Sequence, residues 1–539
     1  MKKLIPAYIL AFVLSFMLFI YEPITMFATN INDFWFDFSL LLKAIFLIFI
    51  LSFVGISIFF TILHFITKKF NKNKIYNIFT IIFLCLFLCC YIHGNFYAGK
   101  LPSLDGTKIV WNNYTNQNII SIIICIVVFV ITIILSRKYS MDKVVNNSKY
   151  VVLTIFIMLT TSLITTLLTT PNIFDKRLSV VVTDKNINNI SSDKNFFILL
   201  VDAVDSQTLK KELNKSKEYK DLFNDFTYFE DTLSGYPFTR DSIPFILSGK
   251  WNKNENDFYS YSTDAYNNSK LFKELEKQKY DLNLYENELI WNDKKVSKIS
   301  NVKIKNGINI YPFMKQIIKY DMFKYLPYPL KKYSKIESME FSSSKKDSNN
   351  ETYRWYDVEY YQNMINSKPK LVDEKVFKFI HLEGAHVPLN LDKNLNYKDN
   401  GTYEEKINAT MKLIKTYLDR IKNSGEYDNS IIIIMSDHGF NGDHVNGRQN
   451  PILFIKGINE KHEMYISDIT VSHEDLIKAY LELLDNKKSD ELFKNIDNDR
   501  TRKYLWYKYT KEDNMIEYET KGKAWDTQSL HKTGKEYNR

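Results

Sequence analysis

Five apolar runs crowd the first 170 residues of the 539-residue chain, near 4–21, 39–66, 75–93, 118–136 and 150–170. A helix crossing a bilayer needs about 20 consecutive apolar residues, so each run is long enough to span. No other feature limits the fold as much. Lipid leaves only helices or closed barrels to carry such segments. Lys2 and Lys3 before the first run imitate a signal peptide. No small-residue cleavage site follows and four more runs do, so the segment reads as an anchor.

Charge orients the set. Basic residues gather before the first run, between the second and third (Lys68, Lys69, Lys72, Lys74) and between the fourth and fifth (Arg137, Lys138, Lys143, Lys149). The remaining loops are poor in Lys and Arg. By the positive-inside rule the N-terminus is inside and everything after the fifth run is outside. Up to residue 170 there are 13 Lys+Arg against 5 Asp+Glu; afterwards 58 stand against 57. The basic surplus therefore belongs to membrane loops, which excludes a nucleic-acid surface as its cause. All four cysteines, Cys85, Cys89, Cys90 and Cys125, lie inside apolar runs. The soluble part has no disulfide framework, Cys-based zinc site or Cys nucleophile.

After a polar linker over 171–193, expected to follow the membrane surface, the pattern changes. FFILLVDA at 196–203 and IIIIMSDHG at 431–439 are unbroken apolar runs ending in acid or imidazole. Such runs predict strands buried on both faces. Further strands are expected at 281–287, 376–384 and 451–457. Helices are expected at 206–217 and 403–423, and from Ser472 to about 485. This alternation predicts one α/β domain with helices on both sheet faces. Residues 335–351 read as a loose loop, and the aromatic C-terminal segment (Trp506, Tyr507, Tyr509, Trp525) as an added hairpin.

Sites in open α/β sheets gather at the carboxyl ends of strands. Asp202 and the pair Asp437-His438 fall there, and His386 follows another strand in HLEGAHVP. Asp and His suit a divalent metal such as zinc or manganese, and a Thr oxygen would complete the shell. Thr239, in GYPFTRDSIPF, stands between a turn and a helix start expected at Asp241-Ser242-Ile243-Pro244. Free N–H groups and the positive dipole end at such a place favour a phosphate and a nucleophilic hydroxyl. Each piece has a plainer reading. Asp202 could cap the next helix, Thr-x-x-Ser could be ordinary capping, His386 and His444 could be surface histidines, His473 could pack or cap, and His381 could be a core residue.

Together these residues resemble the alkaline-phosphatase/sulfatase superfamily. Within it they resemble the membrane-anchored branch that contains lipoteichoic acid synthases and lipid A phosphoethanolamine transferases. The resemblance rests on Asp202, on Thr239-Arg240-Asp241-Ser242-Ile243-Pro244, on GAHVP with His386, and on Ser436-Asp437-His438-Gly439; VSHEDL at 471–476 adds to it. It implies a five-helix membrane domain (1–170), the linker (171–193) and an external alkaline-phosphatase-like α/β/α sandwich (194–539). It implies one divalent metal, zinc or manganese, held by Asp202, Thr239, Asp437 and His438, with Thr239 as nucleophile. His386 and His444 would line the phosphate site; Arg240, which is not part of the family pattern, is placed to clamp phosphoryl oxygens. The implied activity is transfer of a phospholipid headgroup, phosphoethanolamine or phosphoglycerol, to a cell-surface glycan, lipid or polymer through a phosphothreonine. The partners are a membrane phospholipid donor and a glycan or lipid acceptor, at the cytoplasmic membrane with the catalytic domain outside. The chain departs from the branch in having Asp202 where Glu is usual, Arg240 directly after the nucleophile, and no disulfides. A sulfatase or a phosphodiester hydrolase is the alternative. Against the sulfatase, no Cys/Ser-x-Pro-x-Arg pattern surrounds Thr239: Pro244 is followed by Phe245-Ile246. A transporter or receptor also fits five spans, but leaves the strand-end acids unexplained.

Overall fold

The computed structural model describes residues 3–538 apart from 32–33, 35, 98–108, 176–179, 256–257, 287–293, 305–307, 335–351, 441–444, 509–513 and 527. The loop expected at 335–351 therefore lies outside the described residues. The chain divides into two units: residues 1–179 with 306–346, and residues 180–305 with 347–539.

In the first unit, among the described residues, five helices are long and apolar enough to cross a membrane: Ile5–Thr29, Phe38–Lys69, Lys74–Phe96, Trp111–Tyr139 and Met141–Thr169. Large side chains such as Phe46, Ile62 and Ile126 lie exposed on them. A helix apolar on its outward face suits lipid, not water. The sequence reading put residues 306–346 in the catalytic domain, yet they group with these helices. Phe313, Ile317 and Tyr325, on the helix Ile310–Tyr325, share one apolar core with Leu41, Leu84 and Leu159. A polar contact gives the reason. Glu22, in the first apolar helix, is buried, and a buried carboxylate needs partners. Lys324 Nζ donates to both its oxygens at 2.7 Å, and the Tyr325 hydroxyl donates at 2.5 Å.

The second unit is built on a seven-stranded sheet. Its strands are β1 (Asn195–Val201), β2 (Thr227–Phe229), β3 (Asp281–Tyr285), β4 (Val376–Leu382), β5 (Ser430–Met435), β6 (Leu453–Lys456) and β7 (Tyr465–Ser467). The order is β7-β2-β6-β5-β1-β4-β3. The block β5-β1-β4-β3 is parallel, whereas β6 runs antiparallel to both of its neighbours. Every residue of β1, β4 and β5 is buried. Adjacent residues serve opposite faces of the sheet. The Phe197 ring lies 6.2 Å from Tyr417 on the helix Tyr403–Asn423, and the Phe196 ring lies 6.0 Å from Tyr480 on the helix Leu476–Leu484. This is the helix–sheet–helix arrangement that continuous apolar strands require.

The 171–193 stretch contains two short strands. Val180–Val182 pairs antiparallel with Val302–Ile304, and Asn189–Ser191 runs parallel to Lys370–Val372. In place of a two-stranded hairpin, the C-terminal segment forms three antiparallel strands, Arg502–Trp506, Met515–Thr520 and His531–Tyr537; Tyr509 lies outside the described residues. Phe196→Ala should destabilise the second unit by about 3–5 kcal/mol, because a buried aromatic is replaced by a cavity. A lowered thermal midpoint of the purified full-length protein would show it.

Candidate active site

Four parallel strands deliver acids and imidazoles to one edge of the sheet. Asp202 follows β1, Asp437 and His438 follow β5, His381 sits near the end of β4, and Glu286 follows β3. Ser436 ties two of these turns together. Its hydroxyl accepts from Val204 N at 2.8 Å and donates to Val201 O at 2.7 Å. Gly384 lets the third turn approach. Its φ is +56°, and a Cβ there would stand 2.5 Å from the carbonyl oxygen of Asp202. Only glycine fits that combination.

Thr239 is the first residue of the helix Thr239–Ser248, two residues earlier than the sequence pattern placed the start. Phe238 takes the N-cap position without a side-chain cap. The capping reading of Thr-x-x-Ser therefore does not hold. Ser242 Oγ instead donates back to the Tyr236 carbonyl at 3.4 Å. Thr239 Oγ1 is directed elsewhere and donates to Asp202 Oδ2 at 3.2 Å. The helix is braced from below. Asp241, wholly buried, accepts from Asn252 Nδ2 at 2.7 Å and from the Tyr507 hydroxyl of the C-terminal segment. Tyr236, Phe245, Leu505 and Tyr507 form a small core beneath it.

Asp202, Asp437 and His438 come together with one ligand atom each within 4.8 Å of the others. His438 Nε2 lies 3.3 Å from Asp437 Oδ2 and 3.6 Å from Asp202 Oδ1. Its Nδ1 lies 2.7 Å from the Gly439 carbonyl, which can only accept, so the ring proton sits there. Nε2 then presents a lone pair. Among the described residues, Asp202 Oδ1 and Asp437 Oδ2 have no hydrogen-bond partner, although both residues are buried. Three acceptors facing one another in a desolvated place, with no proton between them, fit a cation. The same three residues would hold the divalent metal the sequence pattern implied, with the Thr239 hydroxyl beside them.

The two carboxylates are driven apart. Burial works against ionising Asp202, but the charge of His386 and the hydrogen bond from His381 outweigh it and hold its carboxyl below the usual range. Burial and the neighbouring Asp202 push the Asp437 carboxyl up.

His381 is more than a core residue. Its Nε2 lies 3.4 Å from Asp202 Oδ2 and its Nδ1 contacts Glu286 Oε2. Burial opposes its protonation, yet Glu286 and Asp202 outweigh burial and raise its pKa well above the ordinary value. An imidazolium bridge thus orients Asp202, leaving Oδ1 to the shared centre. Glu286 had a usable sequence signal, an acid at the end of an expected strand, but only the parallel pairing of β3 with β4 gives it meaning.

His386 stands half-buried, with Nδ1 at 2.5 Å from the Val387 carbonyl and its ring 5.6 Å from Trp355. Its loop is gripped from beneath by fully buried Lys406, which bonds Glu383 Oε1 at 2.7 Å, Pro388 O at 2.9 Å and His386 O. Tyr403, three residues earlier, binds the Ala203 carbonyl at 2.7 Å. The start of one helix therefore positions both loops. Arg240 pairs with Asp241 at 3.2 Å and lies 4.6 Å over the Phe258 ring. Arg448, which the sequence reading passed over, lies 4.6 Å over Phe238 and donates to the Pro237 carbonyl at 3.4 Å, next to Thr239. His473 is fully buried, and burial pushes its pKa down to about 3. His444 lies outside the described residues.

A hydroxyl at a helix start faces two acids and an imidazole at the carboxyl edge of a parallel sheet, an arrangement suited to metal-assisted chemistry on a phosphoryl or sulfuryl ester. The Sulfatase family model matches residues 194–495, more than half of the chain, and the protein belongs to that family. No curated protein matched the chain. Similar solved structures include a phosphonate monoester hydrolase from Silicibacter pomeroyi (12% identity, 63% of this chain and 88% of that chain, TM-score 0.37). Others are a 2-O GAG sulfatase, BT1596 (10%, 64% and 83%, TM-score 0.36), and an alkaline phosphatase superfamily protein from Vibrio parahaemolyticus (13%, 66% and 85%, TM-score 0.36).

Asp437→Asn should lower divalent-metal affinity at least about tenfold, measured by equilibrium dialysis, because one anionic ligand is lost. In the wild type, a proton competes with the metal for Asp437. Since that carboxyl is raised, metal loading should start to fall, as pH is lowered, at a higher pH than an ordinary aspartate would give.

Proposed function

We propose that the protein transfers the phosphoryl headgroup of a membrane phospholipid to a cell-surface glycan, lipid or polymer, with its catalytic unit outside the cytoplasmic membrane. The observation that carries this reading is the Thr239 hydroxyl bonded to Asp202, beside Asp437 and His438, in a chain with five membrane-length helices. Those helices give the chain access to a lipid donor. The soluble part has no cysteine, and Thr239 takes the place of the Cys or Ser from which a formylglycine would be made.

A divalent cation, zinc or manganese, held by Asp202, Asp437 and His438 would lower the hydroxyl pKa and offset phosphoryl charge. Thr239 Oγ1 attacks phosphorus of the headgroup diester, passing its proton along the hydrogen bond toward Asp202 Oδ2. The new O–P bond forms as the bond to diacylglycerol breaks. The leaving oxygen takes a proton from His386, whose Nδ1 is engaged by the Val387 carbonyl and whose Nε2 is the working atom. An acceptor hydroxyl then attacks the phosphothreonine and returns a proton to His386; as the O–P bond to Thr239 breaks, its oxygen takes back the proton held by Asp202. His444 would share this shuttle. Arg448, close to the helix start, is suited to the phosphoryl oxygens; Arg240 is held by Asp241 and Phe258 and would act through that brace.

Thr239→Ala should abolish modification of the acceptor by more than about 10³-fold while the protein stays in the membrane. Mass spectrometry of the Thr239 peptide, trapped during turnover, should show an added phosphoryl headgroup whose mass names it. Full activity in Thr239→Ala sinks the proposal. Equal turnover with and without an acceptor would mark a phosphodiester hydrolase instead.

A further inference from the structure

Lys378 lies near the amino end of β4, at the other end of the strand from His381. It is 2% exposed, and its Nζ donates to the Ile187 carbonyl at 2.6 Å and stands 5.2 Å from the Phe197 ring centroid. An ammonium has three donors, and one carbonyl does not satisfy them. A second cation is close. Arg420 donates to the carbonyls of Met364 and Ser367 and to Asn188 Oδ1 at 2.9 Å, all neutral acceptors. The Tyr417 hydroxyl is buried and has no hydrogen-bond partner among the described residues. These groups line one cavity of about 20 Å³, and no carboxylate is among its lining residues. The acid whose charge reaches Lys378 is Asp281, already engaged by Asn186, Asn283 and Ser300.

Two positive groups, a donor without an acceptor and an empty space between them call for an anion. Volume limits its size. About 20 Å³ suits roughly one water-sized occupant, smaller than phosphate, sulfate or a carboxylate. We propose that this cavity binds a single halide ion, chloride in the cell, through Lys378, Tyr417 and Arg420. Burial and the Arg420 charge push the Lys378 ammonium down to about 7, and an anion at its side relieves that cost. The ion joins the segment at Ile187–Ile190, the helix Asp357–Asn366 and the helix Tyr403–Asn423. The last of these carries Tyr403 and Lys406 at its start, so the ion consolidates the element that grips the active-site loops.

The test uses the full-length protein in detergent. Crystals grown in bromide should give an anomalous peak in the cavity, within hydrogen-bond distance of Lys378 Nζ and Tyr417 Oη; a water without anomalous signal there overturns the proposal. In solution, exchanging gluconate for chloride at constant ionic strength should raise the thermal midpoint by about 2–4 °C. Lys378→Met should lose that rise and Tyr417→Phe should reduce it. Equal midpoints in the two salts, or a rise of unchanged size in a folded Tyr417→Phe, would refute the site independently of whether Lys378→Met folds.

Discussion

A carboxylate at the end of a fully buried strand is the constraint on which the catalytic unit depends. Asp202 is 1% exposed, so its charge must be met inside the protein. Its Oδ2 takes the Thr239 hydroxyl and the His381 imidazole, and its Oδ1 faces His438. Three elements far apart in the chain are thereby fixed to one residue. Asp437 adds a second desolvated acid, and its carboxyl rises as that of Asp202 falls. Like charges this close are stable together only with positive charge between or beside them. Whatever neutralises the pair also sits beside the Thr239 hydroxyl, which is bonded to one of its members.

Around that centre the support is polar and buried. Lys406, Tyr403 and Asp241 touch none of the three shared ligands, yet they hold the loops and helix on which His386, Asp202 and Thr239 stand. Buried networks of this type are favourable only when every member is satisfied. The C-terminal strands belong to it. Tyr507 reaches Asp241, and Arg502 lies buried against Asp231 at 3.0 Å. A segment that reads in sequence as an appended hairpin is therefore part of the floor under the helix that begins at Thr239. The same principle explains residues 306–346. The buried Glu22 is met by Lys324 and Tyr325 from far along the chain, and that pairing draws the Ile310–Tyr325 helix into the unit of apolar helices.

How legible this was differs by element. The runs FFILLV and IIIIM announced buried parallel strands because no other soluble element tolerates unbroken apolar residues on both faces. Their terminal acids followed from the rule that sites lie at strand carboxyl ends. Glu286 carried the same mark but gains its meaning only from the pairing of its strand, and Arg448 and Lys406 carried none. Each is a common residue in an ordinary context, and its role arises from a neighbour more than 20 positions away or from another strand. His381 looked like one side of an alternating strand and is instead the bridge between two acids.

By itself the sequence determined the membrane-length helices, the α/β character of the rest and the identity of the principal candidates Asp202, Thr239, Asp437 and His438. Those follow from hydrophobic period, from chemistry at strand ends and from local spacing, all of which are short-range. Only the tertiary structure decided that Thr239 donates to Asp202 instead of capping a helix, that His381 and Glu286 stand behind it, and that the helix Ile310–Tyr325 joins the apolar unit. Each of those depends on which buried charge meets which partner across the fold, and desolvation settles that choice only once the elements are packed.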